Sequence, residues 1–218
     1  MTEAQWLASR NPEKMLAHPA GHASDRKLRL FAAACCRRSW GTLVDERSRD
    51  AIACIERLAD ACISPSEGEA ARQRAMAART NLQGEQLWAA EAVVRAFLGR
   101  VAEAAEGVVR AVHAFGLPRE VLKLEMAARA VFLRDILGNP FRDVTLSPLA
   151  LTPAVTSLAQ ATYEHRQLPS GYLDREHLGV LADALEESGC DSAIVSHLRS
   201  PEDHIRGCWV VDLVVAKE

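Results

Sequence analysis

Asn11-Pro12, Ser64-Pro65, Thr152-Pro153 and Ser200-Pro201 each put a small polar residue directly before a proline. That pair is a helix-start signal with a physical cause. The polar side chain accepts a hydrogen bond from an otherwise unpaired amide of the first turn. Proline tolerates the first helical position because its missing N–H would have had no intrahelical partner there. Thr2 and Gln5 add a capping box, and Ser24, Asp45, Asp174 and Asp191 stand at cap positions before further runs. A chain punctuated in this way is committed to many short helices with defined beginnings.

The runs between the caps carry helical periodicity. Two short helices open the chain, followed by a loop around His18 to His22. From Asp25 to Trp40, Leu28, Phe31, Ala32 and Cys35 recur on one face, and Gly41 is the expected stop. After Asp45, a second face holds Ala51, Cys54, Ile55, Leu58 and Cys62. Glu67 to Gly116 is rich in Ala, Arg, Glu and Val, with breaks at Asn81 to Gly84 and at Gly99, which predicts two or three helices. Leu117-Pro118-Arg119 starts a helix with Val121, Leu124, Ala128, Val131, Phe132 and Ile136 on its apolar face, ended by Gly138-Asn139-Pro140.

Phe141 to Leu151, which follows Pro140 and contains Pro148, has no sustained period, which predicts an ordered loop with Phe141 plugged into the core. A helix then runs from Thr152-Pro153 to about Arg166, and Leu168 to Gly171 is a linker. Another helix follows Asp174 and closes at Gly189, Asp191 caps a short one, and Ser200-Pro201 is expected to open the last. Cys208 to Val215 is β-branched enough for a strand, but no second convincing strand exists to pair with it, so helix is the better assignment. The fold class is therefore all-α, a multi-helix bundle-like domain with an irregular loop at about 139–151. Residues 1–218 read as a single domain, with 172–218 as the alternative boundary of a C-terminal helical unit.

Composition removes several classes of function. In 218 residues, 49% are hydrophobic and 25% charged, enough for a core that needs no staples. The longest apolar run, Trp209 to Ala216, is broken by Asp212 and falls short of the ~20 residues a membrane span requires. No secretory leader is evident, so the six cysteines are expected to be reduced and the protein cytoplasmic. A net charge of −3 supplies no global field for nucleic acid.

Three stretches carry a resemblance. Ala23-Ser24-Asp25-Arg26-Lys27-Leu28-Arg29-Leu30-Phe31 runs into Cys35-Cys36-Arg37-Arg38, and Leu133 to Arg142 reads Leu-Arg-Asp-Ile-Leu-Gly-Asn-Pro-Phe-Arg. Near the C-terminus, Leu181 to Glu187 leads through Gly189-Cys190-Asp191 to His204-Ile205-Arg206-Gly207-Cys208-Trp209. Both ends of the chain thus resemble an uncharacterised, paralogue-rich bacterial family, a domain of unknown function. The resemblance implies a bacterial cytoplasmic protein and supplies no catalytic residues; the segment from Ser64 to Gly116 takes no part in it.

Two constellations carry chemistry. Cys190, His197, His204 and Cys208 offer two thiols and two imidazoles, the donor set of a tetrahedral zinc site, with His204 and Cys208 expected on one helix face about 6 Å apart along its axis. Four protein ligands would make that site closed and structural. The competing reading is a buried small hydrophobe beside hydrogen-bonded histidines. The second constellation is the basic run of Arg26, Lys27, Arg29, Arg37 and Arg38, where Arg26, Arg29, Arg37 and Arg38 could clamp an anion or a phosphodiester backbone. Pairing within the chain, to Asp135, Asp183, Glu186 or Glu187, is favoured over nucleic acid by the acidic net charge.

Cys35-Cys36 lacks the C-x-x-C spacing of redox pairs, although Arg37 and Arg38 could lower a neighbouring thiol's pKa. Asp183 and Glu187 stand at i,i+4 on what is expected to be a solvated face. No nucleophile elbow, P-loop, dinucleotide fingerprint or H-E-x-x-H occurs, so no catalytic residues are assigned and no cofactor other than zinc is suggested. The leading expectation is a non-enzymatic scaffold or interaction module, with the Ala-rich faces of Ala89 to Val109 meeting another protein or a second copy. Zinc binding and anion binding are the alternatives.

Overall fold

A computed structural model describes residues 1–18, 23–98 and 101–217, with every side chain among them except that of Phe115. The expected loop at His18 to His22 and the break at Gly99 fall mainly on residues 19–22 and 99–100, outside the described residues. Among the described residues the fold is all-α. The helices are α1 (Glu3–Ala8), α2 (Pro12–Leu16), α3 (Asp25–Arg37), α4 (Glu46–Ala59), α5 (Pro65–Ala78), α6 (Gly84–Arg95), α7 (Val101–Ala111), α8 (Arg119–Leu137), α9 (Pro153–Glu164), α10 (Arg175–Glu187), α11 (Ser192–Leu198) and α12 (Trp209–Val214). β pairing among them is confined to two isolated bridges, Gln167 with Tyr172 and Tyr172 with Ile205. No helix there is long and apolar enough to cross a membrane.

The caps work as the sequence indicates. Thr2 and Gln5 form the reciprocal box, Asn11 accepts from the Lys14 amide, Ser64 from that of Glu67, and Thr152 from that of Val155. Ser200-Pro201 is the exception: residues 200–208 are irregular and the last helix begins only at Trp209. The reason is tertiary. The Leu173 amide donates to the His204 carbonyl at 2.9 Å, Tyr172 bridges Ile205, and the Ile205 amide is taken by a side chain of α8. Backbone groups committed to these partners cannot close a helical ladder.

Other departures are local. α3 ends at Arg37, and Gly41 lies inside a 3-10 turn at Trp40–Thr42. On α8 the buried stripe is Met126, Ala130, Phe132, Leu133 and Ile136, while Val121 and Leu124 are exposed. Cys62 is also exposed, beyond the end of α4. The irregular segment after Gly138 is present and includes a 3-10 turn at Pro148–Ala150, but Phe141 does not plug it. Its ring is partly exposed beside that of His18, and Val144 and Leu146 attach the loop instead.

Two hydrophobic cores result. The first joins α1 to α8 around α3, whose stretch from Leu30 to Cys36 is buried without a break. Ala32, Ala33, Ala34, Cys35 and Cys36 are small, so neighbours approach α3 from several sides: α4, α6, α7 and α8 all contact it. The Ala-rich faces of α6 and α7 are used here too; Ala89, Ala90, Val93, Ala104, Ala105 and Val108 are buried against this chain's own helices. The second core gathers α9 to α12 around Leu178, Leu181, Leu185, Ile194 and Val211. It takes in Val155, Ala159 and Tyr163, so α9 packs with the C-terminal helices.

Ion pairs join the two cores. Arg26 of α3 holds Asp212 of α12 through both terminal nitrogens, at 2.7 and 3.1 Å, and Asp60 through Nε at 2.8 Å. Lys27 reaches Asp212 at 2.5 Å and donates to the Gly207 carbonyl at 2.8 Å. Glu56 accepts two hydrogen bonds each from Arg37 and from Arg166 beyond α9. Burial by itself would raise the Glu56 carboxyl's pKa, but the two arginines outweigh it and hold it below its ordinary value.

Two predictions follow from this packing. Gly138 sits at φ +65°, and a Cβ there would lie 3.2–3.3 Å from the Trp209 ring, so Gly138→Ala should cost about 1–3 kcal/mol in urea unfolding. Glu56→Gln should cost about 3–5 kcal/mol at neutral pH, because two guanidinium groups lose their counter-charge. With its folded pKa depressed, Glu56 contributes stability above about pH 4 that is lost as pH falls through the folded value. The gap between variant and wild type should therefore narrow in acid, and a gap constant from pH 7 to pH 3 would contradict the assignment.

Candidate metal centre

Asp135 lies in the last turn of α8, buried along with Phe132, Leu133 and Ile136, and its side chain is only 3% exposed. An ionised carboxylate is tolerated at that depth only if it is paired and hydrogen-bonded. Asp135 meets the condition with both oxygens. Oδ1 lies 2.6 Å from His204 Nδ1 and 3.1 Å from His197 Nε2, and Oδ2 accepts the Ile205 amide at 2.8 Å. Burial opposes its ionisation, yet the hydrogen bonds and charges of the two histidines prevail and hold the carboxyl far below its usual range.

The partners come from separate pieces of the C-terminal unit. Asp191 caps α11 and so sets the phase that turns His197, near its end, toward α8. His204 is held in the irregular segment by the backbone ties described above. Burial alone would lower its pKa, but Asp135 raises it. Cys208 is the residue before α12, fully buried. Its thiol is pushed well above the usual range by burial and then by the charge of Asp135. Gly207, at φ +97°, allows the chain to pass Leu30 closely just before it.

Cys208 Sγ lies 3.3 Å from His197 Nε2 and 4.0 Å from His204 Nδ1. One donor atom from each of Asp135, His197, His204 and Cys208 falls within 4.8 Å of all the others. Metal–ligand bonds of about 2.0–2.3 Å in a tetrahedron put the donor atoms about 3.3–3.8 Å apart. The cluster therefore needs movements of an ångström or less to close on an ion.

Three of the four residues expected from the sequence are thus together: His197, His204 and Cys208. Cys190 is outside the cluster; it follows Gly189 beyond α10 and packs partly buried against the second core. His204 and Cys208 share no helix face, because the helix starts after both. Asp135 takes the fourth place. Its sequence signal is a single carboxylate between Leu133 and Ile136 on an apolar stripe, a placement that burial penalises without a dedicated partner.

The expected anion clamp is not assembled. Arg26 is occupied by Asp60 and Asp212, Arg37 by Glu56 and the Pro169 carbonyl, and Arg38 by Glu125 at 2.5 Å and the Tyr172 hydroxyl. Arg29 joins none of these pairs, and its Nη1 is buried without a hydrogen-bond partner. The pairing is intramolecular, but with carboxylates other than those expected: Asp135 serves the histidines, while Asp183 and Glu186 bind Arg199 on the surface. Cys35 and Cys36 are both core residues. Burial outweighs the nearby arginines and raises the Cys35 thiol to about 11.

A cleft of about 1020 Å³ opens beside the cluster, with His197, Trp209, Arg134, Gly138, Asn139 and Glu202 among its walls. The Trp209 ring lies 5.1 Å from that of His197, and the Trp6 indole donates to the Gly138 carbonyl on the far side of that glycine. No protein-family model, curated protein or solved structure matches the chain.

Asp135→Asn should destabilise the protein by about 3 kcal/mol or more, because the amide supplies no charge to the histidines and places an NH₂ where an acceptor is needed. Denaturant unfolding measures it; a loss under ~1 kcal/mol would show that the carboxylate is not what holds the segment.

Proposed function

We propose that this is a zinc-binding helical protein whose ion, held by Asp135, His197, His204 and Cys208, fastens the end of α8 to the C-terminal unit. The observation that carries this reading is the convergence of one oxygen, two nitrogens and one sulfur, from α8, α11 and the segment between α11 and α12, within 4.8 Å at a buried seam. The donor types favour zinc. A thiol and two imidazoles suit a borderline-soft ion, whereas magnesium and calcium take all-oxygen shells. Four protein ligands complete a tetrahedron, which is the form of a structural centre.

The chemistry has a cost at His204. Nδ1 faces the cluster, and Nε2 is buried without a hydrogen-bond partner. Metal on Nδ1 moves the ring proton to Nε2, leaving a donor unsatisfied at about 1–3 kcal/mol. Structural zinc returns about 10–16 kcal/mol at neutral pH, so the ion wins. Binding also displaces the Cys208 proton, and zinc affinity should therefore rise with pH.

Protein purified without chelator should contain close to one zinc per chain by elemental analysis. Stripping the ion should lower the melting temperature by about 10 °C, from a loss of about 4 kcal/mol at 2–4 °C per kcal/mol for a chain of this size. Cys208→Ala and His204→Ala should each abolish stoichiometric binding, while Cys190→Ala should leave it unchanged. Zinc far below one per chain, or melting indifferent to chelation, would defeat the proposal.

A further inference from the structure

The four ligands are not equivalent. The Asp135 and His204 side chains are each 3% exposed and Cys208 is fully buried, but His197 is 19% exposed and lines the cleft. The other three do not reach its walls. Asp135 and His204 are further fixed by the Ile205 amide and by the backbone pairing of residues 172–173 with 204–205. His197 sits near the end of a short helix, with the Trp209 ring tilted beside its own and a T-shaped contact with His204, centroids 4.8 Å apart.

Resting on the zinc reading above, we infer that the centre is built as three fixed ligands and one displaceable one, and that the cleft delivers a nitrogen heterocycle of imidazole size to the ion in place of His197. The slot has the right chemistry. It already accommodates an imidazole in contact with an indole and a second imidazole, and tilted or edge-on aromatic contacts favour a flat ring there. A neutral donor also suits the charge, because a divalent ion with Asp135 and the Cys208 thiolate sums to zero. The exchange is a ligand substitution: the incoming nitrogen lone pair forms the bond that the His197 Nε2 lone pair releases, and no electron or proton need be transferred. The seam stays fastened throughout, since Asp135 from α8 and Cys208 from the C-terminal unit both remain on the ion.

The test uses the full chain loaded with cobalt(II), whose visible bands report coordination number and thiolate ligation. Wild type should show the thiolate charge-transfer band and tetrahedral ligand-field bands. His197→Ala should retain thiolate-bound cobalt with altered ligand-field bands, and free imidazole should return them toward the wild-type pattern and raise cobalt affinity several-fold. His204→Ala, whose vacancy faces no cleft, should not be rescued. In the unmodified protein, zinc transfer to a colorimetric chelator should accelerate several-fold with added imidazole. If wild type shows no thiolate–cobalt band, the metal centre itself is wrong and the exchange falls with it. If wild type binds cobalt but His197→Ala loses it irrecoverably, if His204→Ala is rescued equally, or if chelator transfer ignores imidazole, the centre stands and the displaceable ligand does not.

Discussion

A single buried carboxylate organises the C-terminal third of this protein. Asp135 belongs by position to the first core, beside Phe132, Leu133 and Ile136, and none of the described side chains of that core neutralises it. Its partners are all supplied by residues 197–205. The requirement to pair the charge therefore selects the conformation of a segment remote in sequence. His204 must present Nδ1, Ile205 must present its amide, and the chain between α11 and α12 cannot be helical while doing so. Cys208 arrives in the cluster as a consequence, since only Arg206 and Gly207 separate it from the pinned Ile205.

The same logic of compensation explains the basic helix. Read alone, α3 looks like a surface for anions. In the folded chain Arg26, Arg37 and Arg38 lie against Asp60, Glu56, Glu125 and Asp212, carboxylates that come from just beyond α4, from α4 itself, from α8 and from α12. Such pairs add little net stability over a hydrophobic replacement, because desolvation consumes most of the Coulombic gain. What they supply is orientation. Asp212 receives Arg26, Lys27 and the Tyr163 hydroxyl at 2.6 Å, so α12 has one azimuth that satisfies all three. That azimuth also fixes the start of α12, and with it the direction of the Cys208 sulfur.

How much of this is legible in the sequence depends on the range of the interaction. Caps and breakers act within a few residues, and Thr2, Asn11, Ser24, Asp45, Ser64, Thr152, Asp174 and Asp191 all cap the helices they precede. Ser200-Pro201 carries the same local signal and fails, because its outcome is decided by Asp135 and Leu173. Residue type at the site was equally readable, since cysteine and histidine announce ligation chemistry; spacing was not. Cys190 and Asp135 trade places because membership of the cluster follows tertiary geometry, and α8 enters it from 62 residues before His197. Val121 and Leu124 show the corresponding limit for cores: periodicity finds a stripe, and the neighbouring helices decide how far along the helix it is buried.

Two accounts of the cluster compete, and the sulfur separates them. A hydrogen-bonded network would need only Asp135 and the two histidines: the carboxylate takes two imidazole N–H groups and one amide, and its buried charge is compensated. In that account Cys208 is only a weak sulfur partner at the edge of the network. Yet Sγ lies 3.3 Å from the same His197 nitrogen that faces Asp135, where an alanine would bury no polar atom. A thiol also makes a poor third partner for a nitrogen already engaged by a carboxylate. An ion at the centre gives each of the four atoms a bond, the Cys208 sulfur included. The unpaired His204 Nε2 is a cost that either account must carry, as an orphaned lone pair without the ion and as an orphaned N–H with it. On the proposed reading, the metal–ligand bonds are the interaction that offsets it.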